Sequence, residues 1–353
     1  MTAAPFGLTW QMAATFLVAL AGGLSLTPLA MRWSRVVGLV DTPRPGEIQR
    51  APTPRAGGHA IYLSFAGATL LSLALAPRDP GEMQRITGLL LGLALLVPFA
   101  VWDDFKRLSA LPQLIAQLAV AAVPVLFGVS INSVSNPFAP PPFGGQILLP
   151  DWIAIPATIV WLVLMMNSMN WLDTMDGLAG GVGVIASVIL FLVSLSLQQS
   201  TISLLPLALA GACLGFVPYN FNPARIFMGT TGSMFIGYAL GVISIIGGAK
   251  IASTMLVLGV PVLDAIFVIL QRSLAGRSPW RGGDNAHLVH KLLGVGLSQR
   301  AIALLVYAIC GLFGWLATSL IRTEKFYAFG ALAVVLVSLV VFVRLRDPQP
   351  ATS

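Results

Sequence analysis

The chain has 353 residues, of which 57% are hydrophobic and only 9% are charged, and its formal net charge is +7. A soluble globular domain carries about 25% charged residues, so this composition excludes that class and predicts an integral membrane protein. The basic excess does not indicate a nucleic-acid partner, because it follows from the loop bias described next.

Hydropathy predicts an all-α polytopic membrane protein with about eleven transmembrane helices, forming a single domain over residues 1–353. The predicted spans are 8–31, 57–77, 86–102, 111–130, 152–169, 178–197, 202–219, 232–249, 251–271, 301–321 and 326–343. The loops after the odd-numbered spans, with the C-terminal tail, hold 15 Lys and Arg residues, and the opposite loops hold 5. Basic loops stay cytoplasmic, so the N-terminus is expected outside and the C-terminus inside.

The first cytoplasmic loop is rich in arginine and proline. Its arginines are Arg32, Arg35, Arg44, Arg50 and Arg55. Guanidinium groups beside a membrane match the phosphate of a lipid or of a nucleotide diphosphate. An equally good interpretation is that they are only a topology signal at the lipid headgroups.

The third span ends in two adjacent carboxylates, Asp103 and Asp104, followed by Lys106 and Arg107. Paired carboxylates at a membrane-facing helix end are costly and therefore favour a functional role. The alternative is a charge cluster satisfied by its own basic neighbours.

The segment NSMNWLDTMDGLAGG (167–181) places Asn167, Asn170, Asp173 and Asp176 at every third residue. That spacing predicts one broad helical face. Two like charges three residues apart repel each other unless a cation or a proton relieves them. The segment therefore predicts a bound cation.

Three further features lie on the predicted cytoplasmic side. The GTTG turn (229–232) suits an anion at a helix start, although small residues are also common where transmembrane helices pack. Asp264, deep in the ninth span, is expected to face a cavity or a partner. His287 and His290, near Arg281, fit contacts to phosphate or sugar better than a zinc site.

Six acidic residues thus fall at the cytoplasmic side on separate spans or loops: Asp103, Asp104, Asp173, Asp176, Asp264 and Asp284. A transporter is expected to place such groups near the membrane midplane. A carboxylate-lined cleft with basic residues and Mg²⁺ is the usual equipment for phosphoryl transfer. The sequence predicts an active cleft at the cytoplasmic face.

The order of the motifs resembles the polyprenyl-phosphate N-acetylhexosamine-1-phosphate transferases of glycosyltransferase family 4. The matching segments are PRAGG (54–58), WDD (102–104), NSMNWLDTMDGLA (167–179), FNPARIFMGTTGS (221–233) and DNAHLVHKLL (284–293). The His-x-x-His loop is most similar to the bacterial undecaprenyl-phosphate N-acetylglucosamine-1-phosphate branch. The resemblance implies transfer of a sugar-1-phosphate from a UDP-sugar to undecaprenyl or another polyprenyl phosphate, with release of UMP. It also implies Mg²⁺, or Mn²⁺ in its place, the bacterial cytoplasmic (inner) membrane, cell-envelope polysaccharide synthesis and a homodimer.

The same resemblance implies roles for individual residues. The implied catalytic residues are Asp103, Asp104, Asp173 and Asp176. The implied substrate-binding residues are Asn170, Arg107, Arg44, Arg55, His287, His290 and Arg281. The implied metal ligands are Asp103, Asp104 and Asp176.

The chain departs from the family pattern at a position where an aspartate usually binds the metal, because that position is Thr230. A hydroxyl is a weaker ligand than a carboxylate for a hard dication. Gln113 likewise stands where a lysine is frequent. Two hypotheses follow: an active transferase with a relaxed metal site, or a degenerate, weakly active paralogue that binds polyprenyl phosphate. A lipid or anion transporter is the rival from another class.

Overall fold

The computed structural model describes residues 10–43, 51–136, 145–246, 251–274, 276 and 287–346. In these ranges the chain forms α-helices and two small antiparallel sheets. The elements are α1 (Trp10–Val36), β1 (Val40–Asp41), β2 (Thr53–Pro54), α2 (Gly57–Leu75), α3 (Pro80–Lys106), α4 (Ala110–Leu126), β3 (Ser133–Ser135), β4 (Gln146–Leu148), α5 (Asp151–Leu172), α6 (Leu178–Ser196), α7 (Ser200–Asn220), α8 (Gly229–Ile245), α9 (Ile251–Val257), α10 (Gly259–Leu274), α11 (Leu288–Gly294), α12 (Gln299–Ser319) and α13 (Arg322–Arg346).

Long apolar helices confirm a polytopic all-α membrane protein. Among the described residues, eight helices are long and apolar enough to cross a membrane. The pair α9 and α10 adds a ninth if it forms one bent span, with a bend of 82°. Pro261, in the first turn of α10, has no N–H with which to continue the hydrogen bonding of α9. The shorter apolar helices α4 and α8 fall on two more predicted spans, and the count of eleven and the orientation stay predictions.

The central element is α8, whose residues from Gly229 to Ile245 are all buried. A helix that is apolar on every side belongs in the core of a bundle. Its neighbours approach it backbone to backbone: a Cβ on Gly237 would lie 2.3 Å from the Met165 carbonyl oxygen of α5. Small residues permit such close packing within a membrane. The position of α8 therefore fixes the first turn, which carries the predicted anion site.

The helical face predicted from Asn167 to Asp176 is interrupted in the structure. Helix α5 stops at Leu172, and the chain turns through Asp173–Gly177 before α6 begins. Gly177 has a φ of +78°, which favours glycine, and Asp-Gly is a common turn dipeptide. The prediction that Asp173 and Asp176 share a helical face with Asn167 and Asn170 is therefore wrong.

Two short antiparallel strand pairs lie within the loops between helices. Strands β1 and β2 pair Val40 with Pro54 and close the arginine-rich loop, which sets Arg55 just before α2. Strands β3 and β4 pair antiparallel in the predicted external loop, where the sequence allowed a short hairpin.

Candidate active site

The ends of several helices converge at one end of the bundle. The N–H groups of Gly57 and Gly58, at the start of α2, donate to the carbonyl groups just before α8. Asn220, at the end of α7, accepts from the Gly177 N–H at 3.1 Å. The start of α12 joins them through Arg300, whose Nε donates to the Asn222 carbonyl oxygen at 2.9 Å. The predicted catalytic residues all lie at this end.

Asp104 is the best-held carboxylate of the site and is 4% exposed. It accepts hydrogen bonds from the N–H groups of Thr230 (2.7 Å) and Thr231 (3.0 Å), and from the Thr231 hydroxyl (2.7 Å). Arg55 Nε lies 3.3 Å from the same carboxylate. The first turn of α8 thus binds an anion, as its sequence indicated, and in the described residues that anion is Asp104 of α3.

Asp103 is also buried, at 3% exposure, and it accepts hydrogen bonds from the turn that follows α3. Its Oδ1 accepts from the Leu108 N–H at 2.9 Å and from Gln113 Nε2 at 2.8 Å. A neutral amide therefore contacts Asp103 at the position where the family pattern often has a lysine. This contact compensates the carboxylate less than a cation would.

Asp173 differs from its neighbours, because none of the described residues donates a hydrogen bond to its side chain. Burial raises the pKa of the Asp173 carboxyl well above its usual range. The Arg55 guanidinium opposes this shift, while the charges of Asp104 and Asp176 add to it. An under-compensated carboxylate beside two others is a place where a cation is stabilised.

The residues before and after Asp173 have fixed partners. Asn170 accepts from the Ser233 hydroxyl of α8 at 2.8 Å. Asp176 Oδ2 accepts from Asn222 Nδ2 at 2.9 Å and from the Ala224 N–H at 3.0 Å. These bonds tie the central motif to α8 and to the segment between α7 and α8.

The two predicted histidines lie in different surroundings, and their contact with substrate stays a prediction. His287, 7% exposed, places Nδ1 at 2.6 Å from Asp264 Oδ2, and its ring centroid lies 5.9 Å from that of Trp171. The expectation that Asp264 faces a partner is confirmed. His290 is half-buried on α11, one turn further along.

The arginines separate into three cases. Arg55 faces Asp104, inside the site. Arg107 pairs with Asp41 instead, with its Nη2 2.5 Å from Asp41 Oδ1, and its side chain is exposed. Arg44 and Arg281 lie outside the described residues.

The predicted metal ligands are not gathered into one cluster. Over the ranges that the structure describes, no group of three or more His, Cys, Asp or Glu side chains is arranged to hold a metal ion. Asp103, Asp104 and Asp176 each accept from separate protein donors, and the Thr230 N–H is one of them. Mg²⁺ needs only one or two carboxylates when substrate phosphates supply the other ligands. Of these four carboxylates, Asp173 is the one that accepts no hydrogen bond from the described residues.

The sequence assigned no individual role to two residues that shape the site, Asn220 and Asn222. Buried polar side chains need partners, so two Asn residues between apolar spans were a usable signal. The identity of each partner depends on contacts between helices that are distant in the sequence.

Known proteins match this chain over most of its length. A sequence profile described as Glycosyl transferase family 4 matches residues 86–248. A Bacillus subtilis (strain 168) protein described as a probable undecaprenyl-phosphate N-acetylglucosaminyl 1-phosphate transferase is 33% identical over 309 residues, covering 86% of this chain and 83% of its own. A decaprenyl-phosphate N-acetylglucosaminephosphotransferase from Mycolicibacterium smegmatis is 33% identical over 362 residues, covering 92% of this chain and 88% of its own.

A phospho-N-acetylmuramoyl-pentapeptide-transferase from Desulforudis audaxviator is 30% identical over 296 residues, covering 76% of this chain and 86% of its own. The residues that the family profile matches include Asp103, Asp104, Asp173 and Asp176. The chain belongs to glycosyl transferase family 4.

Proposed function

We propose that this chain transfers N-acetylglucosamine-1-phosphate from UDP-N-acetylglucosamine to undecaprenyl or another polyprenyl phosphate and releases UMP. The names of the relatives support this activity and the two substrate classes. The observation that carries the proposal is the position of Asp173, an under-compensated carboxylate among carboxylates that the protein itself holds in place.

In the proposed reaction, an oxygen of the lipid phosphate attacks the phosphorus that bears the sugar. The bond from that phosphorus to the oxygen bridging the two phosphates breaks, and UMP leaves. A lipid phosphate is already anionic at neutral pH, so it needs little help from a base. Arg55 offers charge to the phosphates, and positioning supplies much of the rate.

Mg²⁺ is the proposed cofactor. Asp173, together with the donor's diphosphate, would hold it, and the bound ion would neutralise charge that develops on the phosphates. Asp103, Asp104 and Asp176 would then act as fixed neighbours. Thr230 contributes its N–H to Asp104, so a threonine at this position keeps that contact without supplying a carboxylate.

The bacterial cytoplasmic membrane is the proposed location, with eleven spans and the site on the cytoplasmic side. UDP-sugars are made in the cytosol, so this orientation brings donor and lipid together. The biological role proposed is the first membrane step of an envelope polysaccharide. Association into a homodimer is part of the same proposal.

The test is a membrane assay with radiolabelled UDP-N-acetylglucosamine, undecaprenyl phosphate and Mg²⁺. Lipid-linked product from the natural sequence supports the proposal. Product that forms only with Thr230→Asp identifies a degenerate paralogue. Absence of product from both, combined with substrate flux across proteoliposomes, would establish the transporter instead.

A further inference from the structure

Asp264 and His287 form a partly buried pair between α10 and α11, and the proposed transfer reaction gives Asp264 no role. Asp264 lies on α10, and His287 immediately precedes α11. Asp264 uses both of its oxygens: Oδ2 meets His287 Nδ1 at 2.6 Å, and Oδ1 accepts from the Leu288 N–H at 2.8 Å. The carboxylate therefore holds both the ring and the backbone beside it.

This arrangement determines which ring nitrogen carries a proton. An ionised carboxylate can only accept hydrogen bonds, so His287 Nδ1 must be the donor. Nε2 is then an acceptor when the ring is neutral and a donor when the ring is a cation. The opposite neutral tautomer, with its proton on Nε2, is disfavoured.

The ring lies next to the candidate site. Its centroid is 5.9 Å from that of Trp171, which is two residues before Asp173 on the chain. With Nδ1 engaged by Asp264, Nε2 is the ring nitrogen left for a phosphate or a sugar.

We infer that Asp264 is a positioning residue of the transferase, which fixes the orientation and tautomer of His287 so that Nε2 meets the sugar nucleotide. The inference rests on the proposed function. Its rival is a purely structural tie between α10 and α11, in which the ring nitrogen facing the substrate is irrelevant.

The substitution Asp264→Asn distinguishes the positioning role from the purely structural contact. An amide has one acceptor oxygen and one donor NH₂ group, whereas His287 Nδ1–H and the Leu288 N–H both need acceptors. If the amide oxygen keeps the Leu288 N–H, its NH₂ group faces Nδ1 and forces the opposite tautomer. The variant is nearly isosteric, so a loss of activity reports on the hydrogen bonding.

The experiment is a double-mutant cycle on the purified full chain, measuring kcat and KM for UDP-N-acetylglucosamine with undecaprenyl phosphate. Asp264→Asn and His287→Ala should each lower kcat by roughly tenfold or more. The double variant should match His287→Ala within about twofold, because Asp264 acts through the ring. Asp151→Asn, an exposed carboxylate at the start of α5, should stay within about twofold of the natural chain.

The activity of His287→Asn distinguishes a substrate-facing Nε2 from a purely structural contact between α10 and α11. Its amide keeps a donor near the Nδ1 position but has no counterpart of Nε2, so it should be as inactive as His287→Ala. Near-normal activity of His287→Asn would show that only the tie matters. Should Asp264→Asn fail to purify as a folded protein, Asp264→Glu, which keeps the buried charge, takes its place in the cycle.

The inference is overturned if Asp264→Asn retains the natural rate while His287→Ala does not, or if the two losses multiply in the double variant. A natural chain that makes no product overturns the proposed function, and this inference with it. The two failures are therefore distinguishable.

Discussion

The Thr231 hydroxyl of α8 donates a 2.7 Å hydrogen bond to the buried Asp104 carboxylate of α3, alongside the N–H groups of Thr230 and Thr231. One carboxylate thereby joins the end of one helix to the first turn of the central one. Arg55, before α2, adds a third element to the same contact. The geometry of the site depends on this junction.

Replacing Thr231 with valine should weaken that junction. The substitution keeps the shape but removes a hydrogen bond to a charged group, which is worth about 1.5–3 kcal/mol. The midpoint of thermal unfolding in detergent should fall, and transferase activity should fall with it.

Thr69→Val on α2 is the matched control. The Thr69 hydroxyl is buried, and no partner for it is found among the described residues. Replacing it with a methyl group should leave stability unchanged or improve it. Equal losses in the two variants would contradict the assigned role of the Thr231 bond.

Asp173→Asn should separate stability from activity. Because folding raises the pKa of Asp173, the native state loses stability as pH rises above about 4, where the unfolded side chain ionises. Asparagine cannot ionise, so it does not cause this loss of stability. In the presence of a chelator, the variant should therefore match the natural chain near pH 4 and unfold at a higher temperature at neutral pH.

Its transferase activity should nevertheless be lost, since the charge proposed to hold the metal is gone. Asp151→Asn, at an exposed carboxylate, should show neither effect. A neutral-pH melting point below that of the natural chain would contradict the proposed burial of an under-compensated charge.

The helices were predictable because a chain in lipid must satisfy its backbone hydrogen bonds within long apolar segments. Every predicted span overlaps a helix or the α9–α10 pair among the described residues, although the bounds differ by several residues. The error at Asp173 and Asp176 came from trusting periodicity over the Asp-Gly dipeptide, which marks the turn at Gly177.

Within the site, local chemistry was predictable and partners were not. The glycine and hydroxyl residues at 229–232 indicated an anion site, but the anion is Asp104, more than a hundred residues earlier in the chain. The pairing of Asp264 with His287 likewise depends on how α10 and α11 pack. Such contacts are set by tertiary packing, which spacing within one segment does not encode.

Gly237→Ala should separate α8 from α5. Its Cβ would lie 2.3 Å from the Met165 carbonyl oxygen, a backbone atom that cannot rotate away. We expect a loss of about 3 kcal/mol in the free energy of unfolding, and reduced activity because Asn170 and Ser233 would move apart.

Gly311→Ala on α12 is the control for this change, because a Cβ there meets nothing within 4 Å. It should alter the free energy of unfolding by no more than about 0.5 kcal/mol. Similar melting points for the two variants would contradict the backbone contact between α5 and α8.

Arg107→Gln tests whether this exposed arginine, which the family resemblance implies binds substrate, holds the lipid phosphate. Its ion pair with Asp41 is exposed, so breaking it should change stability by no more than about 1 kcal/mol. Loss of a charged contact to the lipid headgroup should raise the KM for undecaprenyl phosphate by about fivefold, leaving kcat unchanged.

Asp41→Asn breaks the same ion pair but leaves the guanidinium group available, so its KM for the lipid should not rise. Equal increases in both variants would assign the effect to the ion pair and to the position of β1 beside α3. An unchanged KM in Arg107→Gln would remove Arg107 from the lipid site and leave Arg55 as the remaining described arginine among those implied to bind substrate.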